Sequence, residues 1–510
     1  MVSIETEERP DVLRQMALLL HRENEHLHER IKNLTIHIAQ LEGKDAAALQ
    51  LEIELLQEML ARRERALFGL SSEKRPDKGS KPASERAPQT GHGPTVQPHL
   101  PVIEETLELA PDERTCPACN GSLEEMGEQA EESEEITVVQ RRFFLHKRRR
   151  QKYRCRCNGA VVTAPAPPKL IPGGRYSTEF AAEVAVSKYL DHAPLERQSR
   201  IMAREGLIVS SQTLWDQIEA LARVLTPSYQ ALRDRVLSAP VVHADETHWQ
   251  LMNHQGSSRW WVWSVASRHG VFYQLCGTRS EKSARAMLSG YQGTVMCDGY
   301  SVYKALAQKS AEDGGDSRAG PSMQLAHCWA HVRRKFVEAE PNFPEPCAKA
   351  LDLIGQLFAV EREVRRGDFP VDAAALDQRQ KLRTKRSQPL VEELEAWALE
   401  MRSQALPRSG LGKAVRYLLN HLPGLSLFLT DPQIPLDNNL AERELRGVVL
   451  GRKNHYGSRS KRGTEVAALF YSLLETAKLV GEEPRAYLWR ATRAALDVPG
   501  TVTLPRPPGT

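Results

Sequence analysis

Five leucines, Leu13, Leu20, Leu27, Leu34 and Leu41, recur at seven-residue intervals near the start of the chain. A repeat of that period keeps one stripe of a helix apolar and requires a second helix to bury it. With the leucines at d, the a positions are Ala17, Asn24, Ile31 and Ile38. Leucine at d with β-branched residues at a predicts a parallel two-stranded coil, in which Asn24 fixes the register at some cost in stability. Gly43 interrupts the repeat, and a second apolar series (Leu49, Ile53, Leu56, Leu60, Leu67) is displaced by one residue. It predicts a separate helix or a coil with a skip. Residues 1–70 are therefore expected to form a leucine zipper and to make the chain a homodimer or higher oligomer.

Residues 71–111 are rich in Pro, Ser, Gly, Lys and Glu without apolar periodicity, the composition of a flexible linker. Residues 112–172 then carry four of the eight cysteines. Cys116 and Cys119 form a C-x₂-C pair, and Cys155 and Cys157 a tighter C-x-C pair 36 positions after Cys119 (155 − 119). Two close pairs of thiolates suit tetrahedral Zn²⁺, so a structural zinc module is expected. A redox C-x-x-C would not need the second pair. The other cysteines, Cys276, Cys297, Cys328 and Cys347, are scattered, as suits a reducing cytoplasm.

Charge is informative through its distribution. The net charge is only +4, yet seven glutamates between Glu124 and Glu135 precede a basic run from Arg141 to Arg156, and a second basic stretch spans Arg452–Arg462. Either run alone reads as a solvated face; together they fit local contact with nucleic acid. The polar, acidic N-terminus does not resemble a secretory signal, and no apolar stretch is long enough to predict a membrane span. The expected location is the cytoplasm, with no membrane partner.

Residues 173–237 read as helices. Phe180, Val184, Tyr189 and Leu190 line the first, Leu195–Glu205 makes a second ending at Gly206, and Ser210 or Ser211 caps a third carrying Leu214, Ile218 and Leu221. That outline is helix-turn-helix-like, which serves DNA binding or simple packing. From 238 the texture changes to strands at Pro240–Ala244, Arg259–Ser267, Val271–Cys276 and Thr294–Cys297, with a helix at Ser283–Ser289. A mixed sheet flanked by helices is expected over 238–337 and 431–480, interrupted by a helical insertion at 338–430 and followed by a C-terminal helix and tail at 481–510. The fold class is multidomain α+β.

Asp245 and Asp298 each follow an apolar run, in His243-Ala244-Asp245-Glu246-Thr247 and Cys297-Asp298-Gly299-Tyr300. If their strands are neighbours, both carboxylates reach one metal pair. Glu442 follows Asp437-Asn438-Asn439, an N-cap cluster that places it in a first helical turn. Three carboxylates are a minimal oxygen cage for two Mg²⁺ or Mn²⁺ ions, which can activate the attacking oxygen and stabilise the leaving oxygen of a phosphodiester. Taken singly, each residue has a plainer reading as a turn, cap or helix-dipole residue. Glu246 competes with Asp245, but strand alternation sends it to the opposite face.

Those segments, with His327-Cys328-Trp329-Ala330-His331-Val332-Arg333-Arg334-Lys335-Phe336 and Asp437-Asn438-Asn439-Leu440-Ala441-Glu442-Arg443, resemble the IS66 family of insertion-sequence transposases. The likeness extends to Leu67-Phe68-Gly69, Ser72-Glu73-Lys74 and the cysteine module, so it covers nearly the whole chain. It implies an RNase H-like catalytic core with a DDE triad of Asp245, Asp298 and Glu442, spaced by 53 (298 − 245) and 144 (442 − 298) residues. The second gap is what makes the stretch 338–430 an insertion. The resemblance further implies cleavage at terminal inverted repeats, strand transfer into target DNA, nucleoid association, and possible accessory proteins of the same element. His331, Arg333, Arg334, Arg443, Arg446, Arg452 and Lys453 are the candidates for DNA contact. A dimeric zinc-containing DNA-binding regulator without catalysis, or a nuclease that cuts without joining, would share much of this pattern.

Overall fold

The computed structural model describes residues 141–154, 160–252, 259–313, 323–364 and 372–507, with short pieces such as 117–123. The predicted zipper and linker lie outside the described residues apart from isolated positions, as do Cys116, Cys155 and Cys157. The chain divides into two compact units, Ser72–Arg142 and a larger one formed by Met1–Ser71 with Phe143–Thr510. In the smaller unit the described residues include a turn at Pro117–Cys119, and the Leu123 amide donates to the Arg114 carbonyl at 2.9 Å.

The larger unit holds a short antiparallel hairpin, β1 (Lys152–Arg154) with β2 (Val161–Thr163), in which Tyr153, Val161 and Val162 are exposed. Three helices follow: α1 (Thr178–Tyr189), α2 (Leu195–Arg204) and α3 (Ser211–Leu237). The turn between α2 and α3 forms as its sequence predicts. Gly206 adopts φ +87°, and Ser210 caps α3 by accepting the Thr213 amide at 3.1 Å. α3 is chiefly a core helix: Leu214, Ile218, Leu221, Leu225, Leu232 and Val236 are all buried. Ile208, in the turn, is 91% exposed.

A five-stranded sheet occupies the centre: β3 (Val241–Gln250), β4 (Arg259–Ser267), β5 (Gly270–Cys276), β6 (Thr294–Cys297) and β7 (Gln324–His327). Its spatial order is β5-β4-β3-β6-β7. β3, β4 and β5 form an antiparallel meander, whereas β6 and β7 run parallel to β3. The crossovers are α4 (Glu281–Leu288) before β6 and α5 (Ser301–Asp313) before β7. β5 is an edge strand, and two of its outward amides find side-chain acceptors. Val271 donates to Thr476 Oγ1 at 2.9 Å and Tyr273 to Ser472 Oγ at 2.8 Å. These hydroxyls, four residues apart on α12 (Lys461–Val480), stand in for a further strand and protect the edge.

Beyond β7 come α6 (Trp329–Ala339), α7 (Pro344–Val364), α8 (Ala373–Leu382), a π-helical turn at Arg383–Ser387, α9 (Gln388–Gln404) and α10 (Gly410–Leu425). They bury their own apolar cluster, with Trp329, Phe336, Ile354, Leu394, Leu418 and Phe428 at its centre. Arg383 is buried in the π turn with all its donors engaged. Nε and Nη2 donate to Glu361 at 2.7 and 3.0 Å, Nη1 to the Phe428 and Asp431 carbonyls, and Nη2 also to the Ile434 carbonyl at 2.9 Å. Arg379 donates to the same carboxylate at 2.7 Å. The chain then returns to the sheet through α11 (Asn439–His455), followed by α12 and α13 (Pro484–Asp497). Among the described residues no helix is long and apolar enough to cross a membrane.

Candidate active site

The register between β3 and β6 places the two aspartates. Val241 pairs with Thr294, Val242 with Val295 and His243 with Met296, a constant offset of 53 (294 − 241). Asp245 and Asp298 have the same offset (298 − 245), so they stand level on adjacent strands just past the end of the pairing. Neighbouring strands lie about 4.8 Å apart. Asp245 does not end its strand as the sequence suggested. β3 continues to Gln250 because β4 pairs it through to Arg259, even where β6 has stopped.

Asp298 sits in a sharp turn after β6. Its Oδ1 accepts the Tyr300 amide at 2.9 Å. Gly299 between them has φ +88°, and a Cβ there would come within 2.6 Å of His421 Nε2. Glycine is needed for both reasons. The Asp298 carbonyl also accepts the Tyr417 hydroxyl, so α10 rests on this turn through Tyr417 and His421.

Glu442 lies in the first turn of α11, as predicted, but the cap is not of the predicted kind. Asn438 is fully buried and its side chain makes no cap hydrogen bond. Instead its Nδ2 donates to the Ala244 carbonyl at 3.0 Å and its Oδ1 meets His243 Nδ1 at 3.1 Å. Its backbone amide donates to Cys328 Sγ at 3.2 Å. One residue thus fastens β3 beside Asp245, the start of α11 beside Glu442 and the start of α6 beside His331. Asn438→Ala should cost about 1–3 kcal/mol by removing the donor to a buried carbonyl. Urea unfolding measures it, and an unchanged midpoint would rule out this clasp.

The electrostatics separate the four acidic groups. Glu246, on the far face of β3, is spoken for: Arg279 Nε donates to it at 2.9 Å and the Tyr303 hydroxyl at 2.9 Å. Arg279 is itself sandwiched by Tyr300 and Trp261, 3.9 and 4.9 Å from their ring centres. No lysine or arginine among the described residues forms an ion pair with Asp245, Asp298 or Glu442. Burial, and then the charges of Glu246, Asp298 and Glu442, raise the Asp245 carboxyl to about 7, against the pull of the Glu246 amide. Uncompensated like charge of this kind is what a cation site shows before its cation arrives. His331 Nδ1 stands 3.7 Å from Glu442 Oε1, and burial lowers its pKa, so it is neutral near pH 7.

The candidate DNA-contacting residues divide by how far the fold already employs them. Arg333 and Arg334 are half-buried on α6. Arg443 is exposed and lies 3.1 Å from Glu444, while Arg446 and Lys453 are exposed on α11. Arg452 is engaged within the fold, donating to Thr247 Oγ1 at 3.2 Å and to the His248 carbonyl. From Arg141 to Arg150 the basic side chains are exposed.

Residues 173–466, which include all three carboxylates, match the family described as Transposase IS66 family. The chain belongs to that family of transposases. Membership implies a DNA partner. In this IS66-family chain a second match, to the zinc-finger binding domain of transposase IS66, spans residues 113–158 and supports a structural zinc there. Two relatives are described as uncharacterized proteins of Sinorhizobium fredii. One, y4jD, is 33% identical over 420 residues, covering 80% of this chain and 78% of its own. The other, y4qI, is 32% identical over 493 residues, covering 93% and 88%.

Three features of the IS66-family site were not read from its sequence. In the sequence Asn438 has the look of a cap residue, and nothing around His243 marks it as a partner of Asn438. Cys328 was counted among scattered cysteines, although its position three residues before His331 on a helix start was a usable signal.

Proposed function

We propose that the chain is a DDE transposase with an RNase H-like core, cutting DNA at the ends of its insertion sequence and joining the freed 3′ ends to target DNA. The observation that carries this is the convergence of Asp245, Asp298 and Glu442 on the edge where β6 ends, with no lysine or arginine among the described residues ion-paired to any of them. The sheet order, with a meander and two parallel strands, supports the RNase H-like reading. The donor set fits hard divalent cations: three carboxylates, one raised to about 7 by burial and then by the neighbouring negative charges, which two ions would neutralise. Bound there, Mg²⁺ or Mn²⁺ would activate the attacking oxygen and stabilise the leaving one.

The chain's own residues hold the rest of the site. Asn438 sets Glu442 against β3, Gly299 sets Asp298, and Arg279 keeps Glu246 out of the cluster. Arg333, Arg334, Arg443, Arg446 and Lys453 supply cationic side chains for phosphates on either side of it, and Arg452 buttresses β3. Cys116, Cys119, Cys155 and Cys157 are the proposed zinc ligands, and the zinc module would present the basic run Arg141–Arg156 to DNA. The zipper of residues 1–70 would pair two subunits so that two inverted-repeat ends are held together, with element-encoded accessory proteins as further partners.

Incubating the purified chain with its own element-end DNA tests this. We expect Mg²⁺-dependent nicking at the end, and its loss by on the order of a thousandfold in Asp298→Ala, which still binds DNA. Nicking that survives the substitution would refute the triad. Nicking without joining of pre-cut ends would leave a nuclease.

A further inference from the structure

The start of α6 brings a different kind of donor to Glu442. Cys328 immediately precedes the helix and His331 lies in its first turn. The Cys328 sulfur, a His331 ring nitrogen and a Glu442 carboxylate oxygen all lie within 4.8 Å of one another. His331 Nδ1 and Glu442 Oε1 are both buried, 3.7 Å apart, and neither finds a hydrogen-bond partner among the described residues. Two complementary buried polar atoms facing each other beyond bonding distance are costly as they stand, and a third atom between them would relieve both. The sulfur, meanwhile, accepts the backbone amides of Asn438, at 3.2 Å, and of His331. Burial pushes the Cys328 thiol up to about 12 and these amides offset only part of that rise, so the free sulfur is a thiol. A bound cation would displace its proton, and the amides would then support the thiolate as in the outer shells of metal-bound cysteines.

We propose that Cys328, His331 and Glu442 form a binding site for a borderline-soft divalent cation of the Zn²⁺ class. A sulfur, an imidazole nitrogen and one carboxylate oxygen are the ligands such an ion selects, and they leave a fourth tetrahedral position open. Mg²⁺ does not select sulfur or nitrogen. This site is therefore chemically distinct from the three-carboxylate site, although the two share Glu442. Binding releases the thiol proton to solvent and leaves the sulfur as thiolate. The functional consequence rests on the transposase reading: a soft cation here draws Glu442 away from the hard-cation cluster, so zinc would restrain cleavage. The binding itself rests only on the geometry.

Co²⁺ is the probe. The full-length chain, with Zn²⁺ already in its cysteine module and excess metal removed, is titrated with Co²⁺ and followed by absorption. We expect the thiolate-to-cobalt charge-transfer band and the visible bands of a tetrahedral ion, at one equivalent per chain. Cys328→Ala should lose the charge-transfer band, and His331→Ala should weaken Co²⁺ binding by at least about tenfold. Should Cys328→Ala fail to fold by circular dichroism, His331→Ala and His331→Gln carry the test. Absence of the bands in the wild type overturns the proposal. So do bands that persist unchanged in the variants, which would place the cobalt in the cysteine module. The readout needs no DNA cleavage. A protein that binds Co²⁺ here but never cuts DNA would sink the catalytic reading alone, and one that cuts without binding Co²⁺ would sink only this site.

Discussion

Replacing Asp245 with asparagine should abolish metal-dependent cleavage of element-end DNA while making the magnesium-free protein harder to unfold. The two effects have one cause. Burial and three neighbouring carboxylates hold the Asp245 carboxyl at about 7 in the folded chain, against an ordinary value of 3.8. A carboxyl raised by folding is ionised at a net cost, so its contribution to stability falls as pH rises from about 4 to about 7 and is level beyond. Asparagine carries no charge at any pH, and the cost disappears. Each pKa unit corresponds to about 1.4 kcal/mol, and allowing for partial solvent access we expect a gain on the order of 1–3 kcal/mol at pH 8. The gain should vanish toward pH 4. Calorimetric melting of both proteins in magnesium-free buffer, with zinc retained, measures it. An equal gain at pH 5 and pH 8 would show that ionisation is not the cause. Because the cation requires the ionised carboxyl, the apparent Mg²⁺ affinity of the wild type should rise with pH up to about 7 and then level.

Arg383→Ala should be among the most destabilising single changes available to the chain, by about 3–5 kcal/mol. The guanidinium donates to Glu361 and to the carbonyls of Phe428, Asp431 and Ile434 with no solvent exposure. Its removal leaves the carbonyls without that donor inside the fold and Glu361 with Arg379 as its remaining basic partner. The energetics also fix a pH signature. Burial alone would raise Glu361, but the two arginines more than offset it and its pKa is lowered overall. A lowered carboxyl stabilises the fold above its unfolded pKa, and that contribution is lost as pH falls through the folded value. The mutant should therefore lose most at neutral pH and converge on the wild type in acid. Hydrogen exchange should accelerate first across α7 (Pro344–Val364) and residues 373–436, where the segments that Arg383 ties together lie. Protection there equal to the wild type would show that the ion cluster is not what closes the insertion.

Legibility in the sequence followed the regularity of the local pattern. β4 and β6 were read at the bounds Arg259–Ser267 and Thr294–Cys297 that the structure shows, because buried strands present dense runs of β-branched and aromatic residues. β3 was cut short at Ala244. Its second half carries Asp245, Glu246 and His248, charged or titratable side chains that look like a loop until β4 is seen to pair them. β7 is as short as β6 but reads Gln-Leu-Ala-His, with no β-branched residue to mark it as a strand. The carboxylates were legible as a set through the family's motifs, and the offset of 53 proved to be the strand register itself. The Arg383–Glu361–Arg379 cluster was invisible: its members are separated by a stretch of polar sequence, and nothing local distinguishes a buried arginine from a solvated one.

The fastening of α11 to β3 has a mechanical corollary. Asn438 joins them at one end, Arg452 reaches Thr247 and His248 further along, and at the far end Ser458 exchanges backbone hydrogen bonds with Gln250 and Met252. Asp245 and Glu442 therefore ride on one stiff body. Asp298 rides on another: a four-residue strand and a left-handed glycine, propped by Tyr417 and His421 of α10. The jaw of the site is thus unequally compliant. A push on the helical insertion meets Asp298 directly through α10 and meets Glu442 and Asp245 only by way of α6 and Asn438, so the spacing on which in-line chemistry depends is open to adjustment from outside the sheet.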